Sequence, residues 1–231
     1  MSTDSAPTSR RWIPFALLIL LGVASLATAW LSSRPSSTVV GPEGVVMDAG
    51  ADLASASSTR SGATTDGVSC RTAAKEVVKY HIHVHVAIFV DGQRRNLPAG
   101  IGITQPDLVE HYPSGAFYDV GLTDCLYWLH THAADGIIHV EAPHQGDFTL
   151  GQFFDIWNQP LSANQVGPAH GSVVVFENGR RLSGDPRATP LLSHADIQID
   201  VGSPVVAFQP FTYRVSGGCG EGTTSCSTPK G

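Results

Sequence analysis

The chain alternates histidine with aliphatic residues in the run HIHVHVAIFV, which extends from His81 to Val90. Successive side chains of a β-strand point to opposite faces, so three imidazoles share one face of the predicted strand: His81, His83 and His85. The dipeptide Asp91-Gly92 follows at once and is typical of a two-residue hairpin turn. The run therefore predicts a strand that enters a hairpin and carries ionisable rings on one side.

A second stretch, CLYWLHTHAADGIIHVEAP, predicts another hairpin. A two-residue turn at Asp135-Gly136 predicts two cross-strand pairs, His132 with His139 and His130 with Glu141. A four-residue turn over residues 133–136 changes the partners but keeps these four side chains on one face, whereas a three-residue loop separates them.

The remaining pattern favours short strands joined by turns. The chain has 24 glycines, 15 prolines and only 15% charged residues. The run SVVVFENGRRL repeats the strand-and-turn pattern at Asn178-Gly179, and DIQIDV predicts a further strand. One amphipathic helix is predicted at LGQFFDIWNQ, with Thr149 or Asp147 as its N-cap and Pro160 beyond its end. We expect a β-rich α+β domain with antiparallel sheets built from hairpins and this single helix.

The N-terminal region carries an apolar run from Trp12 to Leu31, without a charge and preceded by Arg10 and Arg11. It is long enough to cross a bilayer, and the two arginines favour a cytoplasmic N-terminus. The sequence Ala27-Thr28-Ala29 leaves a cleaved signal peptide as the alternative. Both interpretations place the following domain outside the cytoplasm. An uncleaved anchor would make the protein a single-pass protein of the cell membrane.

Composition divides the chain into five parts. They are a cytoplasmic N-terminus (1–11), a transmembrane signal-anchor or signal peptide (12–31), a disordered Ser/Thr/Ala/Gly-rich stalk (32–69), a His-rich extracytoplasmic domain (70–215) and a flexible tail (216–231). About 145 residues suffice for one hydrophobic core.

Four cysteines in an exported protein invite disulfide bonds, and they allow three connectivities. Cys219 and Cys226 enclose a short polar loop in the tail, which leaves Cys70 to pair with Cys125. That bond would hold the two histidine-bearing regions near each other. The alternative for Cys70 and Cys125 is a role as soft copper ligands.

If the two regions converge, six histidines and one carboxylate meet: His81, His83, His85, His130, His132, His139 and Glu141. Neutral imidazoles packed together lack hydrogen-bond partners, and they repel each other once protonated. A divalent transition metal, copper or zinc, resolves this conflict because imidazole is a good ligand for both. The surplus of ligands is compatible with two ions or with some rings that orient the others. The isolated histidines are interpreted as loop or structural residues: His111, His144, His170 and His194.

Three functions remain open at this point. The first is a tethered metal-binding module, and the second is a metal-dependent enzyme in which Glu141 acts as acid or base. The third is a metal-free structural or interaction domain with a pH-sensitive face. A net charge of -6 without a basic stripe argues against nucleic-acid binding. The protein partner is not indicated.

Five motifs together resemble an uncharacterised family of bacterial, often actinobacterial, exported proteins: HIHVHVAIFVDG, CLYWLHTH, GIIHVEAP, FTLGQFFDIW and GSVVVFENGRRL. The resemblance implies a membrane-anchored extracytoplasmic domain and brings no established activity. In that family an acidic residue often follows the second histidine of His-Thr-His. This chain has Ala133 there and Asp135 two residues later.

Overall fold

A computed structural model describes residues 40–41, 45–48, 50–58, 60–72, 75, 77–106, 109–112, 115–118 and 123–213. The predicted cytoplasmic segment (1–11), the apolar run (12–31) and the tail (216–231) lie outside these residues. No helix within the described ranges is long and apolar enough to cross a membrane.

The described residues are β-rich with one α-helix, which confirms the predicted fold class. The strands are β1 (Ala51–Asp52), β2 (Cys70–Arg71), β3 (Tyr80–Val90), β4 (Gln93–Asn96), β5 (Ile103–Pro106), β6 (Val109–Tyr112), β7 (Gly115–Tyr118), β8 (Thr123–Tyr127), β9 (Leu129–His130), β10 (Ile137–Ala142), β11 (Leu161–Ser162), β12 (Gln165–Val166), β13 (Ala169–His170), β14 (Val173–Glu177), β15 (Arg180–Arg181) and β16 (Asp196–Val201). The helix is α1 (Leu150–Trp157), and 3-10 turns occur at Ala56–Ser58 and Pro186–Ala188.

Strand β3 organises the main sheet. Its first half pairs with β10 in antiparallel orientation, and its second half pairs with β4 through the predicted hairpin. Strand β16 lies parallel to β3, and β14 continues the sheet beyond it. Strand β9 extends the sheet from β10. This order places β3, β10 and β9 side by side.

Two of the three predicted two-residue turns are present, at Asp91-Gly92 and Asn178-Gly179. Asp91 and Gly92 have φ values of 48° and 75°, and Asn178 and Gly179 have φ values of 50° and 82°. Positive φ at both central positions is the conformation of a type I′ turn, which matches the twist of the strands that it joins.

The aliphatic face of β3 and β10 lies in the hydrophobic core together with α1. Phe153, Phe154 and Trp157 of the helix are fully buried there. Thr149 is the N-cap, and Gln152 completes a capping box with it, which fixes where the helix begins. Because β3 buries its aliphatic side, its histidines lie on the opposite face of the sheet.

Part of the predicted stalk belongs to the domain instead. Leu53 and Val68 are buried in the core, and β1 pairs with β4. The indole of Trp157 donates to the Ser55 carbonyl, 3.0 Å away. The stalk has few large apolar residues, but these two enter the core, so the ordered chain begins before the predicted boundary at Cys70.

A disulfide joins Cys70 and Cys125, as predicted. It connects β2 to β8, which are also antiparallel neighbours. Cys219 and Cys226 lie outside the described residues. Since Cys70 and Cys125 are bonded to each other, they are not available as copper ligands.

Candidate metal centre

Three neighbouring strands carry the histidines of the site. His139 on β10 lies opposite His83 on β3 and opposite His130 on β9. The prediction from a two-residue turn, which paired His132 with His139, is wrong. The observed pairing of His130 with His139 is the one expected for a four-residue turn over residues 133–136. The two registers differ by two residues, so the side chains stay on the predicted face.

The imidazole of His139 is at the centre of the group. Its ring centroid lies 4.5 Å from that of His132, 4.6 Å from His83, 5.3 Å from His130 and 6.0 Å from His81. Five of the six predicted histidines therefore lie together. The ring of Phe117 stacks on His132 and bounds the group on that side.

Backbone carbonyls orient two of these rings. The Nδ1–H of His130 donates to the Tyr127 carbonyl at 3.0 Å, and the Nδ1–H of His132 donates to the Tyr118 carbonyl at 2.7 Å. A carbonyl only accepts hydrogen bonds, so Nδ1 carries the proton in both rings. In the neutral form each ring then presents a lone pair at Nε2. These two Nε2 atoms lie 3.2 Å apart.

A second pair of ring nitrogens lies on β3. The Nε2 atoms of His81 and His83 are 3.1 Å apart. Glu141 is the cross-strand partner of His81, and its Oε1 lies 3.1 Å from His81 Nε2. The same oxygen lies 3.8 Å from His139 Nδ1. Glu141 therefore contacts both the β3 pair and the central ring.

The site is buried at one end and open at the other. His130 is fully buried and His139 nearly so, whereas the side chain of His81 is 27% exposed and that of Glu141 is 14% exposed. Burial, together with the neighbouring rings of His132 and His139, lowers the pKa of His130 well below its usual value. Burial and the rings of His132, His83 and His81 do the same to the pKa of His139. Both rings therefore favour the neutral form, which binds metals.

Two sets of side chains in this cluster can hold a metal ion. The first consists of His130, His132, His139 and Glu141, and the second of His81, His83 and His139. Within each set the ligand atoms all lie within 4.8 Å of one another. We refer to these six residues as the histidine cluster.

His85 is not in either set. Its Nδ1–H donates to Asp196 Oδ1 at 2.8 Å, and its ring stacks on Phe211 with 3.8 Å between centroids. The Phe211 amide donates to the other carboxylate oxygen of Asp196. His85 therefore ties the C-terminal segment to the sheet. The four isolated histidines are also outside both sets.

Sequence reasoning missed the groups that orient the histidine rings. Two are backbone carbonyls, of Tyr118 and Tyr127, and a carbonyl leaves no signal in the residue type. Asp196 is visible as the first residue of DIQIDV, but its contact with His85 needs the parallel pairing of β3 with β16.

A cleft of about 1120 Å³ lies beside the cluster. Tyr118 and Ala134 line it, as do the carboxylates Asp48, Asp52 and Asp124. No residue of the histidine cluster lines this cleft. This cleft is therefore adjacent to the ligands and does not contain them.

Known proteins offer no match to this chain, whether family models, curated proteins or solved structures are compared. The resemblance to exported bacterial proteins stays a prediction.

Proposed function

We propose that the protein binds a transition-metal ion, copper or zinc, through the histidine cluster, and that it does so outside the cytoplasm at the membrane. The described residues bring five imidazoles and one carboxylate together in two sets, and within each set the ligand atoms lie within 4.8 Å of one another. The presence of a bound metal, its identity as copper or zinc and the cellular location are what we propose.

The observation that carries the proposal is the contact between His130 and His132. Their Nδ1 atoms are committed to carbonyls, so two lone pairs meet at 3.2 Å. Two lone pairs at this distance repel unless a cation lies between them. Burial lowers the pKa of His130, which disfavours a proton in that position. Two ligands of a tetrahedral zinc ion with Zn–N bonds of about 2.0–2.1 Å lie about 3.3 Å apart, close to the observed separation.

The chemistry of the donors favours zinc or copper(II). Imidazole nitrogen binds both metals, and a carboxylate oxygen is an acceptable further ligand. Copper(I) prefers thiolate or thioether sulfur, and the two described cysteines are joined in a disulfide.

The proposed location is supported by the sequence. The apolar run Trp12–Leu31 after Arg10 and Arg11 favours an anchor with the domain outside the cytoplasm. The disulfide Cys70–Cys125 supports this location because such bonds persist in oxidising compartments.

The proposal is tested by measuring the metal content of the full-length protein in detergent, before and after chelation and reloading. We expect bound zinc or copper that raises the melting temperature, because a ligand that binds only the folded state stabilises it. The variant His130→Ala should show a smaller response, whereas His170→Ala should keep the full response, since His170 is exposed on β13. A wild-type protein whose melting temperature does not respond to either metal would refute the proposal.

A metal-dependent enzyme is the second candidate, and one observation favours it. The set His81, His83 and His139 offers three ligands. Because the His81 side chain is partly exposed, a fourth coordination position would be open to water. Glu141 lies next to that position and would act on the proton of a bound water. Azide or cyanide binding to the cobalt-substituted protein would reveal the exchangeable position. A spectrum that neither anion changes would argue against catalysis.

A further inference from the structure

The histidine cluster contains two separate pairs of closely spaced ring nitrogens. One pair, His130 and His132, lies at the buried end, with its Nε2 atoms 3.2 Å apart. The other pair, His81 and His83, lies at the open end, with its Nε2 atoms 3.1 Å apart. Each separation is close to the distance of about 3.3 Å expected between two ligand atoms of a tetrahedral zinc ion. Each pair therefore has the spacing to hold an ion of its own.

The number of ligands also exceeds the need of one ion. A tetrahedral zinc ion takes four ligands, and the cluster supplies five imidazoles and one carboxylate. The two pairs are on different strands, because His81 and His83 belong to β3 whereas His130 ends β9. A single ion placed between one pair leaves the other pair of nitrogens facing each other.

Two groups lie between the pairs: His139 is in reach of either pair, and Glu141 is suited to serve both. His139 belongs to both ligand sets, and it is the direct cross-strand partner of His83 on one side and of His130 on the other. Glu141 belongs to the buried set, and its Oε1 also lies 3.1 Å from His81 Nε2. A carboxylate has two oxygens and can bind two cations at once.

We infer that the cluster holds two transition-metal ions, an inner ion on His130 and His132 and an outer ion on His81 and His83, with His139 and Glu141 between them. This inference rests on the proposed function. It deepens that function by assigning the number of ions and the side chains that hold each. Dinuclear sites place their ions about 3.5–4 Å apart, a spacing that a carboxylate shared through its two oxygens, such as that of Glu141, would allow.

The two ions should differ in how fast they exchange with solution. The inner pair is buried, whereas the His81 side chain is 27% exposed. Phe117 stacks on His132 at the buried end, whereas His81 at the open end is partly exposed to solvent. A chelator should therefore remove the outer ion first.

The test is the stoichiometry of copper(II) and zinc in the full-length protein, with the double variant His81→Ala/His83→Ala. The variant His144→Ala/His170→Ala, which removes two exposed histidines, is the matched control. We expect two ions in the wild type and the control and one in the His81/His83 variant. In the copper protein, the electron paramagnetic resonance spectrum should show spin–spin coupling, and the His81/His83 variant should show an isolated ion.

Each other outcome is decisive. One ion in the wild type would overturn the two-ion inference and leave the proposed function standing. Two ions in the wild type and also in the His81/His83 variant would overturn the inference, because the second ion would lie elsewhere. No ion in the wild type would refute the proposed function itself. Circular dichroism of each variant guards against loss of the fold.

Discussion

His139 on β10 is the direct cross-strand partner of His83 on β3, and their rings meet edge to face with centroids 4.6 Å apart. The same residue is opposite His130 on β9. A slip of one residue in either pairing would move a histidine to the apolar face. The burial of the aliphatic face in the core therefore fixes the register that assembles the cluster.

The variant His130→Ala should weaken binding of the inner zinc or copper ion by more than about 100-fold. The reason is that it removes a direct ligand, and loss of an outer partner alone costs about 10–100-fold. Competition with a chromophoric chelator measures the affinity. The matched variant His170→Ala should bind as the wild type does, and equal affinities of the two variants would contradict the assignment.

Gly102 lies against the backbone that carries His130. Its φ is +77°, and a Cβ at this position would collide with the Leu129 carbonyl and lie 3.0 Å from His130 Cβ. Gly67 has a φ of +80° with no atom within 4 Å of such a Cβ, so it is a conformation-matched control. Gly67→Ala should cost about 1–2 kcal/mol from the left-handed conformation alone.

Gly102→Ala should cost more than Gly67→Ala, and it should also weaken metal binding because it displaces His130. Denaturant unfolding and the chelator assay measure the two effects. If both variants lost the same stability and kept the wild-type affinity, the close packing of Gly102 on the metal centre would be refuted.

The strand and turn content was predictable because it depends on local pattern. Alternation in HIHVHVAIFV and the dipeptides Asp91-Gly92 and Asn178-Gly179 specify strands and tight turns within a few residues, and the structure contains them. The face of the histidines was predictable for the same reason. The turn before Ile137 was not, because Ala133 to Gly136 is compatible with more than one loop length.

The position of His85 shows what pattern alone misses. It lies on the same face as His83, but its ring contacts Asp196 and Phe211, which are distant in sequence, and does not join the histidine cluster. That contact depends on parallel pairing of β3 with β16, which no local signal specifies. Leu53 was missed in a related way, since its burial depends on β1 joining β4 within a polar segment.

His85→Ala should keep the affinity for zinc or copper within a few-fold of the wild type. It should nevertheless reduce the free energy of unfolding by about 1–3 kcal/mol, because Asp196 Oδ1 loses its donor in a buried position. Chelator competition and urea unfolding separate the two effects. A loss of affinity as large as that of His130→Ala would instead make His85 a ligand.

The stability of the metal-free protein should fall as the pH drops below about 6.5, the ordinary pKa of histidine. The pKa values of His130 and His139 are lowered in the folded state, so the unfolded chain binds more protons in this range. Stability therefore rises with pH until the unfolded histidines are neutral.

Urea unfolding at pH 8, 7, 6 and 5 measures this dependence. The variant His139→Asn should have a flatter profile because it removes one of the two groups. A wild-type profile that is flat between pH 8 and pH 5 would show that these rings are not held neutral by burial.

X-ray absorption at the metal edge of the zinc-loaded or copper-loaded protein tests the central claim most directly. We predict nitrogen and oxygen ligands only, at about 2.0–2.1 Å for zinc, with the multiple scattering that identifies imidazole. A variant in which His81, His83, His130 and His132 are all replaced by alanine should lose that signature. A spectrum of sulfur ligands, or of an ion surrounded by water without imidazole, would contradict a metal centre at the histidine cluster.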